Sequence, residues 1–429
     1  MERIETVIVG GGQAGLATSY WLTQFGREHV VLEQAAHPAN AWRAGRWDSF
    51  TLVIPNWGLR MPGAEYDGPD PDAYMPRDEL VAYFDRYVAR FHLPVRCNTR
   101  VLSAEVMDGG GYLVRTEGRA IRAGNVVVAT GYEQLPKVPT FAAGIAPEVT
   151  QIHSSRYRNP GALPDGAVLV VGTAQSGCQI AEELYQCGRT VFLATGGSAG
   201  RSPRRYRGRD TFAWLYEMGF FDRTADQFPF PRERFAPPHV SGTKGGHTLN
   251  VHQFARDGVT LLGHLRGAAG GRLAIAPDLH ENLGRIDGFE VQQRQMIDGY
   301  IQARGLDAPA EDVPPPIRDG YAQPIVEQLD LKAAGIGTII WATGYRYDFG
   351  LVKAPVFGAD GFPIQTNGVT GCPGLAFVGM PWMPSLKSGV LAGVGEFAGH
   401  VASAIADAAA RRGRFDPAAD RPIAATPAT

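Results

Sequence analysis

Three glycines, at positions 10, 12 and 15, stand directly after the apolar run Thr6–Val9 and before a helical stretch that reaches Leu22. Strand, G-x-G-x-x-G and helix in that order form the arrangement that holds a dinucleotide pyrophosphate. Gly10 permits the tight turn, Gly12 lets the phosphates approach backbone amides, and Gly15 lets the helix pack close to the strand. With Gln13 and Ala14 they open a helix whose free N–H groups and positive dipole end face the anion. Val30–Leu32 reads as a second strand. Glu33 follows it, 23 residues after Gly10, where a carboxylate accepts hydrogen bonds from ribose hydroxyls. Gln34 shares that edge.

The motif returns further along. Leu169–Gly177 repeats Val7–Gly15 at a constant offset of 162. Gly172, Ala174 and Gly177 replace the three glycines, Gln175 replaces Gln13, and Ser176 completes the loop. The next strand, Thr190–Ala194, ends at Thr195, where the first copy has Glu33. Without the carboxylate nothing repels a phosphate on the adenosine ribose. Arg201, Arg204 and Arg205 follow within ten residues, and guanidinium forks suit phosphate oxygens. The first site is expected to take an unphosphorylated ribose and the second to prefer NADP(H). Arg207 and Arg209 read as a solvated face.

A second repeat closes each unit. Asn125–Tyr132 (NVVVATGY) and Ile339–Tyr345 (IIWATGY) are apolar strands ending in the same turn. They add Ala129, Thr130 and Gly131, and Ala342, Thr343 and Gly344, to the candidate cofactor residues. The expected class is α/β: two Rossmann-like dinucleotide-binding domains, the second inserted into the first. Residues 1–160 begin the first domain, 163–340 form the second, 341–415 return to the first, and 416–429 read as a disordered tail. The return supplies a strand in Gly374–Gly379 and a helix over Gly389–Ala409, started by Ser388-Gly389; Gly379 and Ser388 are candidate contacts. Leu80–Phe91 has helical spacing with Asp78 as its cap. Val101–Met107 and Tyr112–Thr116 flank Asp108-Gly-Gly-Gly as a hairpin, with Val101 at the cofactor edge. Asn159–Gly166 is dense in turn formers and marks the boundary.

Composition narrows the partners. In 429 residues the net charge is −2 and 20% are charged, which argues against a nucleic-acid or membrane-surface binder. No apolar run approaches the ~18 residues of a membrane span, and the charged opening is unlike a signal peptide. Cys97, Cys178, Cys187 and Cys372 include no C-x-x-C pair, which fits a reducing cytoplasm and buried thiols. His239, His247, His252 and His264 show no metal-ligand spacing, so no metal is implied. The surrounding His239–Asn250 reads as a glycine-rich loop near a nicotinamide.

Two dinucleotide motifs, the inserted domain and the paired Ala-Thr-Gly strands resemble the two-dinucleotide-binding-domain flavoproteins. More narrowly the chain resembles the flavin-containing monooxygenases and their bacterial and plant relatives. Trp42-Arg43 sits where that family has a segment near the flavin, although Ala39 and Asn40 replace its glycines. Leu52–Gly63 with Tyr74-Met-Pro-Arg resembles its flavin-proximal loop, and Asn56 falls where the animal enzymes carry an asparagine. Of the fingerprint F-x-G-x-x-x-H-x-x-x-Y/F only His153 and Tyr157 are present; Pro147 and Val149 replace the Phe and Gly. The resemblance implies FAD in the first site and NADPH in the second. It implies a monooxygenase in which a flavin C4a-hydroperoxide, made with O2, oxygenates a small nitrogen, sulfur or carbonyl compound. Asn56 is then the polar group beside the reactive carbon, its amide donating to the peroxide, or else a turn residue. His153 organises the inter-domain linker rather than moving protons. The alternative is an NADPH-driven flavin oxidase or reductase that makes hydrogen peroxide or passes electrons to a partner. Trp57, Trp214, Trp382 and Met383 either line a pocket or fill cores, and Pro309–Pro316 is a lid or a connector. Oligomeric state stays open, a homodimer included.

Overall fold

The computed structural model describes residues 1–196, 200–229, 232 and 238–412; the expected disordered tail, 416–429, lies outside them. Two parallel sheets of the same design dominate. In the first, Glu2–Val9 lies between His29–Leu32 and Ala120–Val128, with Val95–Arg96 and Leu375–Phe377 outside them, all parallel. In the second, Ala167–Val171 lies between Val191–Ala194 and Ile336–Trp341, with Thr260–Leu262 and Thr150–His153 outside. The central strands are buried on both faces, as unbroken Val/Ile/Leu runs require.

The chain's nesting follows from the two outer strands. The first sheet takes its last strand from residues 375–377, after the second unit is complete. The second takes its matching strand from residues 150–153, ahead of its own glycine motif and ahead of the expected changeover near 160. The first sheet carries an antiparallel extension, Val101–Val106 and Tyr112–Thr116, and a separate antiparallel sheet, Leu265–Ala269, Arg272–Ile275 and Gln328–Asp330, packs beside the second. The hairpin is therefore where the alternation placed it.

Helix boundaries depart from expectation in two places. The helix Arg77–Arg90 begins after Pro76, and Asp78 lies inside its first turn, where its carboxylate meets Arg77 rather than capping backbone amides. The last helix spans Val394–Arg412, not Gly389–Ala409. Leu386–Gly389 forms a separate 3-10 turn, and a Cβ at Gly393 would meet the Lys387 carbonyl oxygen at 2.7 Å, so chain reversal there precedes the helix. Among the cysteines only Cys178 is buried; Cys187 is exposed and the other two are intermediate. No helix of the described residues is long and apolar enough to cross a membrane.

Candidate functional site

The two glycine loops lie at the carboxyl ends of their central strands, where open α/β sheets bind ligands. Their geometry repeats closely. Gly10 and Gly172 both have φ +108°, a backbone that strains any side chain, and a Cβ would lie 2.5 Å from Ala129 O and 2.6 Å from Ala342 O respectively. A Cβ on Gly15 or Gly177 would sit 1.9 Å from the carbonyl of Gly10 or Gly172, so glycine is what allows strand and helix to touch. Gly12 and Ala174 are both extended (φ −81° and −75°), which explains why alanine serves at the second position. Nothing lies within 4 Å of a Cβ at Gly12, which leaves the room a pyrophosphate needs. The helices that follow, Gln13–Gln24 and Gln175–Gln186, keep the offset.

The closing segments fold onto these loops. Ala129 N–H donates to Val9 O (2.8 Å) and Ala342 N–H to Val171 O (2.9 Å). Thr130 Oγ1 accepts from Gln134, Thr343 Oγ1 donates to Lys137 O, and Gly131 and Gly344 take positive φ. Gln13 donates to Gly389 O (3.0 Å) and Gln175, more weakly, to Pro238 O (3.4 Å). Gly379 packs on Ala14 so tightly that a Cβ would lie 2.2 Å from the alanine methyl. Ser388 is fully buried, its one hydroxyl proton is within reach of Met380 O and Ser385 O, and its oxygen accepts from Met383 N–H, so the hydroxyl holds the loop rather than starting a helix.

At the adenosine end the units differ. Glu33 is buried and accepts from Gly11 N–H (2.7 Å) and Ala35 N–H (2.8 Å), with Gln34 exposed beside it and Val101 opening the hairpin. Thr195 instead donates to Leu262 O (2.8 Å) and accepts from Asn282 (2.9 Å). Two of the three arginines expected at a ribose phosphate are spent elsewhere. Arg201 is buried against Asp287 (2.8 Å) and Glu290, and those carboxylates would repel a phosphate. Arg204 pairs with Asp210 and donates to Val53 O (2.7 Å). Arg205 is exposed. Arg207 and Arg209 pair with Asp298 (2.8 Å) and Glu217 (2.6 Å), as a solvated face does.

Trp42 and Arg43 form a single helical turn held to the first loop through Ala39 N–H and Gly11 O (2.8 Å). Arg43 pairs with Asp85 (2.7 Å), and the Arg46 guanidinium lies 5.0 Å from the Trp42 ring. Asn56 is buried; its Nδ2 donates to Asp70 O (3.0 Å) and its Oδ1 has no partner. One of the two amide protons is therefore held by backbone, and Oδ1 is an unpaired acceptor. His153 Nε2 meets Gly344 O (3.0 Å) and its Nδ1 accepts from Ser155 N–H (3.2 Å), with burial lowering its pKa. It stitches the linker to the second Ala-Thr-Gly turn, as expected.

Trp214 is fully buried beside Tyr206 and Ile297, and Trp382 is buried against Phe228; both fill cores. Pro309 packs against Gly208 and accepts from Arg207, and residues 310–316 of the proline run carry no helix or strand. His247 pairs with Glu182 (2.9 Å) and His252 with Asp287 (3.3 Å), and no three metal-ligating side chains gather among the described residues. The contacts that sequence reasoning missed are those of Asp210 and Tyr74, which meet across 136 positions of chain.

The fold is that of the flavin monooxygenases built on two dinucleotide-binding domains, as the resemblance implied. A flavin-containing monooxygenase from Stenotrophomonas maltophilia superposes with a TM-score of 0.64 over 95% of this chain and 99% of its own, at 19% identity. Residues 7–207 match the pyridine nucleotide-disulphide oxidoreductase family. A CzcO-like oxidoreductase of Geobacillus kaustophilus is 29% identical over 91% of this chain and 95% of its own. The indole-3-pyruvate monooxygenase YUCCA4 of Oryza sativa subsp. japonica is 31% identical, over 49% of this chain and 52% of its own. In sequence and fold the chain is thus similar to flavoprotein oxidoreductases.

Proposed function

We propose that the chain is an FAD- and NADPH-dependent monooxygenase acting on a small nitrogen, sulfur or carbonyl compound. The family match and the flavin monooxygenase relatives support both cofactors. The first unit takes FAD: Glu33 holds the ribose, the Gly10–Gly15 loop the pyrophosphate, and the Trp42 turn and Asn56 loop flank the ring. The second takes NADPH on Gly172–Gly177, with Arg205 the arginine left for the ribose phosphate. FAD, once reduced, supplies the activation of O2. The protein's part is to exclude water and to present fixed polar groups.

The observation that carries this reading is the unpartnered, buried Asn56 Oδ1. A buried acceptor without a donor costs about 1–3 kcal/mol, and an N–H at the edge of a flavin ring would satisfy it. The experiment follows NADPH consumption and hydrogen peroxide release with amines, thioethers and ketones. Oxygenated product is expected from at least one class, and Asn56→Ala is expected to raise peroxide released per NADPH severalfold. One peroxide per NADPH with every compound would make the chain an oxidase instead.

A further inference from the structure

The loop that carries Asn56 is gripped from the opposite unit. Arg204 and Asp210, 6% and 5% exposed, belong to the segment after the second nucleotide motif. Arg204 Nη1 donates to Val53 O (2.7 Å), three residues before Asn56, and its guanidinium lies 4.8 Å from the Tyr74 ring centroid. Asp210 accepts from Arg204 on one oxygen and from the Tyr74 hydroxyl on the other. Tyr74 adjoins Ala73, whose carbonyl accepts from Asn56 N–H (2.8 Å).

A second grip starts from the same aspartate. Asp210 Oδ1 also accepts from Phe212 N–H (2.7 Å) and so caps the helix Thr211–Glu217. That helix sets Phe212 and Tyr216 against Trp57, next to Asn56, at ring centroid distances of 5.4 and 5.6 Å. The fit is close on the far side too. A Cβ on Gly242 would meet Leu52 O at 1.8 Å and one on Gly246 the Tyr74 ring at 2.3 Å, so the loop read as nicotinamide-proximal packs on the first unit's loop. Burial keeps the Tyr74 phenol protonated far above its ordinary range, so it remains the donor.

Arg204 N–H donates to Thr248 Oγ1 (2.8 Å) and its Nε has no partner, but the contacts that the two side chains make outside their own segment, to Val53 O and Tyr74, all fall on the chain around the Asn56 loop. We propose that Tyr74, Arg204 and Asp210 are positioning residues that hold the Asn56 loop in register with the nucleotide unit, so that hydride transfer from NADPH to FAD depends on them. The proposal rests on the cofactor assignment above and not on the oxygenation. Hydride has to cross between groups carried by different units, and such a step is sensitive to small misplacements.

The test mixes the FAD-loaded full chain with NADPH without oxygen and follows flavin bleaching. Tyr74→Phe removes one hydroxyl and is expected to lower the limiting reduction rate about tenfold. FAD content, the half-saturating NADPH concentration and reduction by dithionite should stay at wild-type values, which a merely structural lesion would not spare. Tyr83→Phe removes a half-buried hydroxyl that donates to Ala64 O (2.5 Å) inside the first unit and should reduce at the wild-type rate. Should Tyr74→Phe fail to fold, Arg204→Lys reads the same effect, because one ammonium cannot span Val53 O and Asp210 as the fork does. A wild-type limiting rate in either folded variant overturns the proposal alone. Wild-type flavin that NADPH does not bleach overturns the cofactor assignment together with it.

Discussion

The first and second units share a strand order, a glycine geometry and an Ala-Thr-Gly closure, yet they part at the end of the second strand. There the first presents a buried carboxylate bonded to its own glycine loop, and the second a hydroxyl tied to Asn282 of the long helix Leu279–Arg304. In the proposed reading, backbone geometry provides for a dinucleotide and the side chain at that edge sets which ribose it carries. Duplicating the first property costs little sequence, because it resides in a few glycines and in strand packing. The second changes with one residue.

The largest effects should come from the shared geometry. Gly15→Ala places a methyl against Gly10 O, and the purified variant is expected to hold no FAD, read from its flavin absorbance. Gly177→Ala is expected to keep FAD and lose reduction by NADPH. Equal loss of FAD in both variants would break the division of labour between the units. Smaller effects should follow at the point where they differ. Glu33→Ala removes charge-assisted hydrogen bonds of about 1.5–3 kcal/mol, so FAD affinity should fall roughly ten- to a hundredfold in a flavin titration. Flavin affinity unchanged in that variant would remove the ribose role. Smallest is Arg205→Ala, expected to raise the NADPH KM by up to about tenfold while the NADH KM stays put. Equal changes for both nucleotides would place the phosphate contact on another residue.

Much of this comparison was legible in the sequence because the informative residues are local. Gly10 to Gly15, Glu33 and the 162-residue offset are read by spacing, and the strands by continuous apolar runs. The partners of two of the arginines are not legible locally, for a physical reason. Arg201 is neutralised by Asp287 and Glu290, more than eighty positions later, and no local pattern announces such a partner. Arg204 has its acid only six residues away, but the use of that pair lies in Val53 and Tyr74 of the other unit. Ser388-Gly389 belongs to a separate 3-10 turn, Leu386–Gly389, and the last helix begins only at Val394. Asn56 was found through family resemblance, and its unpaired oxygen only through packing.

The most direct test of two cofactors on two units is to purify the full chain, measure flavin per protein after supplying FAD, and then add NADPH in the absence of oxygen. The account predicts one FAD per chain, bleached by one equivalent of NADPH and less readily by NADH. Colourless protein that takes up no FAD, or bound FAD that neither nucleotide reduces, would contradict it.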